Sequence, residues 1–226
     1  MKESTYREIV LARKNCRICS GLKNPGDVAG GQFDCDEIGA WTRWQGNLDA
    51  DVMVVGQDWG DVDHFVQFRG IDPMNGRSNR TLMHLLSSIG RPIEPITEMS
   101  KGRGTVFLTN AILCLKDGGM QAPVDPGWFQ TCGAKFLRQQ VEIVSPKVVV
   151  GLGQRAFDAV LFSFGLRRFP FRVAVDAPRG ILLPTGSELF AVYHCSPRIL
   201  NTHRNLPQQL LDWQRIRKVI ERQENS

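Results

Sequence analysis

The stretch DVMVVGQDWGD, residues 51–61, decides how the rest of the chain is interpreted. Its first half is a short, nearly continuous apolar run that ends in a glycine. Such a run is typical of a strand buried on both faces of a parallel sheet. Its second half places an acid, Asp58, in a turn bracketed by Gly56 and Gly60. Because glycine lets a backbone approach a ligand closely, this turn is a candidate site at the end of a buried strand.

Three further apolar runs resemble the first, and helical spacing of apolar residues fills the intervals between them. The predicted strands are 51–56, 105–110, 147–153 and 189–194, and the predicted helices are 4–14, 79–89, 125–144, 154–164 and 208–222. The third helix begins with Asp125 as N-cap and Pro126 as its first residue. Alternating strands and helices predict a three-layer α/β/α fold with a central four-stranded, mainly parallel sheet. With no repeat or linker, we expect residues 1–226 to form a single domain with an N-terminal cysteine-containing segment.

The bulk composition excludes few classes of protein but favours some. The net charge of +5 and the pI near 9 suit a polyanionic partner such as nucleic acid, although a basic surface without a specific partner accounts for them equally well. No apolar run approaches the ~20 residues that cross a bilayer, and the charged N-terminus lacks the apolar core of a signal peptide. We therefore expect a cytoplasmic protein with no membrane partner.

Three chemically versatile side chains follow the predicted strands at their carboxyl ends, where ligands bind in such sheets. Asp58 can act as a base or stabilise a cation, Asn110 can read the edge of a nucleobase, and His194 can donate to an oxygen that gains charge. Each alone is more often a cap, a strand-end residue or a core histidine. Their joint arrival at one edge of the sheet predicts a binding or catalytic site.

The chain has six cysteines: Cys16, Cys19, Cys35, Cys114, Cys132 and Cys195. Because no secretion signal is evident, disulfides are not expected. The first two form a CxxC pair, and together with Cys114 and Cys132 they can close a four-sulfur cage for zinc or for an iron–sulfur cluster. Spacing does not choose between the two. The other two fit small buried apolar residues better, with Cys35 a possible substitute ligand.

In their order along the chain, these pieces resemble the uracil-DNA glycosylase superfamily, and most closely its iron–sulfur branch, often called family 4. The resemblance runs from about Arg7 to Val219. It rests on CRICSGL, ADVMVVGQDWGD, LTNAILC, the downstream Cys132, SPKVVVGLGQRAF and YHCSPR. It implies a monomeric, monofunctional DNA glycosylase that flips a nucleotide out of DNA and hydrolyses the N-glycosidic bond of uracil or another deaminated base.

The resemblance also implies roles for individual residues. Asp58 inherits the water-directing and cation-stabilising role from one alignment of GQDWG, whereas a second alignment gives a family glutamate's position to Gln57. His194 stabilises the leaving base and Asn110 reads its edge. The other implied residues are Gly56, Trp59 and Met74 in the base pocket, Ser196, Pro197, Arg198, Arg77 and Gly153 at the DNA, and Cys16, Cys19, Cys114 and Cys132 as ligands of a [4Fe–4S] cluster, with zinc as the alternative.

The sequence departs from the family pattern at several positions. Met74 falls where the iron–sulfur branch has a stacking phenylalanine, a role that Trp59 could take over. Gly60 occupies the place of a tyrosine that rejects thymine in one branch, so the preference could extend beyond uracil, and Cys195 replaces a proline of the second motif. The basic residues of one segment form a candidate phosphate-contacting surface or, alternatively, a solvated loop: Arg77, Arg80, Lys101 and Arg103.

Three alternatives stay open from the sequence. The chain could keep the fold and cluster but bind nucleic acid without turnover. It could trap DNA covalently through a histidine, for which His203 is the spare candidate. It could also be a zinc-stabilised protein that binds a nucleotide at residues 151–154, although that loop lacks a P-loop lysine and a full GxGxxG.

Overall fold

The computed structural model describes residues 1–39, 48–71, 76–93, 106–119 and 121–224, with side chains to residue 222. The strands are β1 Leu22–Lys23, β2 Val52–Gly56, β3 Val106–Asn110, β4 Leu115–Lys116, β5 Val148–Leu152, β6 Ile181–Leu182 and β7 Glu188–Val192. The helices are α1 Lys2–Lys14, α2 Val62–Gln67, α3 Arg77–Ser88, α4 Pro126–Cys132, α5 Arg138–Val144, α6 Gln154–Ser163, α7 Phe171–Asp176, α8 Pro197–Thr202 and α9 Leu206–Glu224. None of these helices is long and apolar enough to cross a membrane.

The main sheet has the order β3-β2-β5-β7-β6. The first four strands are parallel, which confirms the four strands predicted from the sequence. A fifth strand, β6, pairs antiparallel with β7 and was not predicted, because two residues are too few to show any periodicity. Every residue of β2, β3 and β5 is buried, as expected for strands covered on both faces.

Two hydrophobic cores cover the two faces of this sheet. Successive residues of a strand point to opposite faces, so Met53 of β2 lies in the core formed with α1, α5 and α6, whereas Val54 lies in the core formed with α3 and α9. The architecture is therefore three-layered, α/β/α, as predicted. The carboxyl ends of β2, β3, β5 and β7 meet at one edge.

The predicted helix over residues 125–144 is divided in the structure. Asp125 is its N-cap, with the side chain accepting from the Gly127 N–H at 2.7 Å. Between α4 and α5 the chain makes a π-helical turn, Gly133–Leu137. Such a turn holds one extra residue, so it shifts the helical phase of the residues after it relative to those before it. The helical prediction is right in extent but missed this turn.

The N-terminal segment is tied to the rest of the chain by buried polar contacts. The Arg13 side chain is 1% exposed, and its guanidinium pairs with Asp34 at 2.6 Å. Asn24 donates to the carbonyl oxygens of Arg13 and Cys16. Strand β1 then pairs antiparallel with β4, with Leu22 opposite Lys116. The first cysteine pair is thereby joined to the loop that follows β3.

Candidate active site and cysteine cavity

The turn after β2 holds the Asp58 carboxylate on several sides. Its Oδ1 accepts from the Gly60 N–H at 2.8 Å, and its Oδ2 accepts from Gln57 Nε2 at 2.6 Å. The Nζ atom of Lys116 lies 3.4 Å from the same Oδ2. Gly60 has φ +99°, a conformation that favours glycine. The turn conformation at Gly60 therefore directs its N–H to the carboxylate, and the resulting hydrogen bond stabilises the turn.

Lys116 is a site residue that the sequence analysis did not identify. It belongs to β4 and is buried, with 5% of the residue exposed. A two-residue strand has no periodicity to mark it, and its partner Asp58 is 58 residues away along the chain. Buried lysines are rare unless they are paired. Here the buried ammonium group is paired with the Asp58 carboxylate, so Lys116 is part of the candidate site.

Asn110 lies directly beside Gly56, because the parallel register of β2 and β3 pairs these two residues. A Cβ atom on Gly56 would lie 2.2 Å from Asn110 Oδ1, so only glycine leaves room for this amide. Asn110 is 2% exposed, and its buried Nδ2 has no hydrogen-bond partner within the part of the chain that the structure describes. Buried donors are normally satisfied, so this amide is available to a ligand.

His194 follows β7 at the same edge. Its Nδ1 accepts from the Ser196 N–H at 3.1 Å, which puts the proton of the neutral ring on Nε2. Burial lowers the pKa of His194, and the negative charge of Asp58 partly opposes that effect. The ring is therefore a neutral donor within electrostatic reach of the carboxylate. Gly153, with φ +94°, lies beside the histidine, and a Cβ atom there would be 3.7 Å from His194 Cβ.

The resemblance implies that Ser196, Pro197 and Arg198 of the second motif, HCSPR at residues 194–198, form a loop that pinches the DNA strand. In the structure these residues instead begin a helix. Ser196 is the N-cap of α8, and Pro197 and Arg198 are its first two residues. The preceding Cys195 is buried and donates from Sγ to the Ser78 carbonyl oxygen at 3.3 Å. Burial raises the pKa of this thiol to about 12. The cysteine thus fixes the second motif against the start of α3.

Exposed arginines surround the site at the beginnings of three helices. Arg77 opens α3, Arg155 is the second residue of α6, and Arg198 is the second residue of α8. All three helices start at the carboxyl edge of the sheet, so the arginines form a basic rim. Arg80 is also exposed on α3. Lys101 and Arg103 of the predicted phosphate surface lie outside the described residues.

Of the two residues considered for stacking on the base, the structure describes only Trp59. Trp59 is 8% exposed and belongs to a small apolar cluster with Phe65 and Leu115. Its ring also lies against Gly39, where a Cβ atom would come within 1.9 Å of it. The indole therefore has packing partners within the protein, and its role toward a base stays a prediction. Met74 lies outside the described residues.

Four cysteines from three separate segments line one cavity of about 60 Å³: Cys16, Cys19, Cys114 and Cys132. By volume the space corresponds to roughly five water molecules. Burial, together with negative charge on the three other cysteines, raises the pKa of Cys114 to about 12. The four cysteines that the resemblance implies as ligands therefore line the same cavity, and their role as ligands stays a prediction.

The other two cysteines do not line this cavity. Cys35 donates a hydrogen bond from Sγ to the Gly39 carbonyl oxygen at 2.9 Å, and burial raises the pKa of this thiol to about 11. Cys195 lies at the opposite side of the sheet, in the core with α3 and α9. Within the described ranges, no three His, Cys, Asp or Glu side chains are close enough together to hold a single metal ion.

Residues 44–216 match the family model of the uracil-DNA glycosylase superfamily. The chain belongs to this superfamily. It is therefore a DNA N-glycosylase by family, a class of hydrolases that act on N-glycosyl bonds, and the resemblance inferred from the motifs is confirmed. The matched range includes the candidate active site together with Cys114 and Cys132, and it leaves out the CxxC pair.

A curated relative carries the name type-5 uracil-DNA glycosylase and comes from Pyrobaculum aerophilum. It is 27% identical over 162 residues, which cover 65% of this chain and 67% of the relative. At this distance the glycosylase superfamily is shared, whereas individual site residues must be argued from the structure.

Proposed function

We propose that this protein is a monofunctional base-excision glycosylase that flips uracil or another deaminated base out of DNA and hydrolyses its N-glycosidic bond. One observation supports this most strongly. An acid, an unsatisfied amide donor and a neutral histidine donor are held at the carboxyl ends of β2, β3 and β7, at Asp58, Asn110 and His194. Those are the three groups that such a reaction needs around a sugar and its base.

The reaction proceeds in two halves at this edge. The bond from C1′ to the base nitrogen breaks with cationic character on the sugar, and the Asp58 carboxylate stabilises that charge. His194 donates from Nε2 to a carbonyl oxygen of the departing base, which takes the bonding electron pair. Water then adds its hydroxyl to C1′, and its proton ends on the released base. The products are a free base and an abasic site.

Asn110 supplies the selectivity in this scheme. Its free Nδ2 donor matches a carbonyl oxygen, which a deaminated base presents where the parent base carries an amino group. An amino group at that position would leave the buried donor unsatisfied, and sites of this kind discriminate strongly. Gly56 secures the position of the amide, since no other residue fits beside it.

The hydrogen bond from Gln57 to Asp58 supports a division of roles between these two residues. Asp58 acts on the sugar cation, and Gln57 orients the carboxylate. This division reconciles the two alignments of the motif, because both residues then contribute.

We further propose that Cys16, Cys19, Cys114 and Cys132 hold a [4Fe–4S] cluster. The four thiols come from three segments of the chain and line one cavity, and four cysteine thiolates are the ligands of such a cluster. The same ligand set also suits zinc, and the colour of the purified protein distinguishes the two. When bound, the cluster would cross-link the N-terminal segment to the loop after β3.

The basic rim suits a nucleic-acid partner that is held by its phosphates, largely without regard to sequence. Arg77 and Arg198 contact the backbone in this proposal, and the start of α8 with Ser196 and Pro197 follows the strand into the gap left by the flipped base. Residues 1–226 act as one monomeric domain on DNA in the cytoplasm.

The test is base release from single- and double-stranded oligonucleotides that carry uracil, hypoxanthine or xanthine, with purified brown protein. Alkali-labile sites are expected, and Asp58→Asn should lower the rate at least about 10²-fold. Asp63→Asn, which changes an exposed acid on α2, is the matched control. Salt-dependent binding without release would overturn the proposal in favour of a binding protein. A denaturant-resistant adduct lost in His203→Ala would favour a covalent trap, and colourless zinc protein would overturn the cluster assignment.

A further inference from the structure

We propose that Lys116 is a positioning residue for the glycosylase reaction, whose buried ammonium group holds the Asp58 carboxylate in place and supplies its counter-charge. This inference rests on the proposed function and deepens it by adding a member to the site. The ion pair joins Lys116 Nζ to Asp58 Oδ2 at 3.4 Å. The two side chains are only 6% and 10% exposed, so water screens their attraction weakly.

The backbone of Lys116 is fixed to the same turn as its side chain. Its N–H donates to the Gly60 carbonyl oxygen at 3.3 Å, and it forms a parallel bridge with Asp61. On its other side it pairs with Leu22 of β1. A lysine normally loses considerable side-chain entropy when held in one geometry, and here the backbone contacts place the ammonium group beside the carboxylate in advance.

Stability alone does not explain a buried ion pair at this position. Removing two charges from water is costly, and apolar pairs of similar volume are often as stable or more stable. Asp58 also has two other donors, from Gln57 and Gly60. A third, charged donor to the active-site carboxylate therefore indicates a role in fixing its direction and balancing its negative charge.

Lys116 also protects the neutral state of His194. Among the residues that the structure describes, Asp58 is faced by Lys116 from β4, by His194 after β7, and by Gln57 and Gly60 in its own turn. The charge of Asp58 already raises the pKa of His194 against the effect of burial. Without the ammonium group, the full negative charge would act on the histidine and favour its protonation. Protonated Nδ1 can no longer accept from Ser196.

The experiment compares Lys116→Met, Lys116→Arg and the control Lys23→Met, which changes an exposed lysine of the partner strand β1. Single-turnover rates are measured on the best substrate of the wild-type protein. Lys116→Met should lower the rate about 10²-fold with little change in DNA affinity, and its loss of activity at acid pH should begin at a higher pH than in the wild type. Lys116→Arg should restore much of the rate, and Lys23→Met should match the wild type.

Two results would overturn the inference: a loss of DNA affinity with an unchanged rate, which would make Lys116 a phosphate contact, or a Lys116→Met variant as active as Lys23→Met. If Lys116→Met does not fold, Lys116→Gln replaces it. If the wild type releases no base, the proposed function fails. The pairing is then tested by thermal unfolding, where Asp58→Asn should recover stability lost in Lys116→Met if the two charges compensate each other, and should add to the loss if they do not.

Discussion

The carboxyl edge of the sheet and the cysteine cavity are assembled in different ways. The edge takes its groups from the ends of parallel strands, whose register is fixed by ladder hydrogen bonds, as where Gly56 lies beside Asn110. The cavity takes its thiols from a segment after α1, a loop after β3 and the end of α4. Changes at the edge should therefore alter the rate in a folded protein, whereas changes at the cavity should alter folding first.

The two regions meet at β4. Cys114 lines the cavity, and Lys116, two residues later, contacts the Asp58 carboxylate. The most informative variants therefore change either the carboxyl edge or the cavity and leave the other region intact, so that its rate or colour can still be measured.

The largest effect is expected from Cys132→Ser. The change removes one cavity thiol, so the brown colour should be lost and the melting temperature should fall by about 10 °C, roughly 3–5 kcal/mol for a chain of this size. Base release should fall with it, because β1 and β4 lose their anchor. Absorbance near the cluster band, thermal unfolding and single-turnover kinetics check this.

Cys195→Ser is the matched control for that variant. Its thiol is also buried but lies outside the cavity, and a hydroxyl can still donate to Ser78. It should keep the colour. Full colour in Cys132→Ser would show that the cavity is not the cluster site.

Gly56→Ala should have the next largest effect, and only at the edge. The new methyl group would lie 2.2 Å from Asn110 Oδ1 and must displace the amide. A misplacement of about 1 Å typically costs about 10²-fold in rate, and the added methyl group should cost about 1–3 kcal/mol in stability. The colour should not change.

The pair Gly56→Ala and Asn110→Ala tests the physical reason. In the Asn110→Ala background the added methyl group meets no amide, so the double variant should be no slower than Asn110→Ala alone. A further loss would mean that Gly56 acts through some other contact. Single-turnover rates and unfolding curves separate these outcomes.

A smaller effect should follow from lowering the pH. Burial lowers the pKa of His194 in the folded protein, whereas the unfolded value is about 6.5. The neutral ring's contribution to stability is therefore present above about pH 6.5 and is lost as the pH falls toward the folded pKa. The rate should fall at the lower end of this range, near the folded pKa, since protonation breaks the hydrogen bond from the Ser196 N–H.

Asp58→Asn tests the direction in which the charge of Asp58 shifts the pKa of His194. Because the charge of Asp58 raises the pKa of His194, its removal lowers the folded pKa further, so the acid-induced loss of stability should become larger and extend to lower pH. Unfolding curves between about pH 5 and 8 measure this, and a smaller loss that ends at a higher pH would contradict the assigned charge interaction.

The smallest effect is expected from Arg198→Gln on the basic rim. One lost phosphate contact should weaken DNA binding modestly and reduce the salt dependence of log K by about one unit, without changing the single-turnover rate at saturation. Lys147→Gln, at the opposite edge of the sheet before β5, is the control. Equal salt slopes for both variants would exclude the rim as the DNA surface.

The parts of the fold that follow from local pattern could be predicted. The strands β2, β3, β5 and β7 are buried on both faces and read as apolar runs, and their order with the helices placed Asp58, Asn110 and His194 at one edge. The edge strand β6 and the π-helical turn were missed, because two residues have no period and a single extra residue leaves the apolar spacing nearly unchanged.

The candidate site was predictable only where a strand end supplied the residue. Lys116 depends on a tertiary contact between β4 and the turn after β2, and nothing in its neighbours marks it. Spacing identified the four cavity cysteines as a possible set but could not choose a metal. The helical start at Ser196 was obscured by the resemblance to a loop motif.

The π-helical turn sets the phase between the two ends of its helix. It lies between Cys132, which lines the cavity, and Val141, and both side chains pack in the same hydrophobic core. Each residue of an α-helix advances by about 100°, so deleting one residue from Gly133–Leu137 would rotate one end of the helix against the other by that angle. The shortened helix could then no longer direct both side chains to that core. The extra residue of the turn thus lets one helix present side chains from both of its ends to the same face of the sheet.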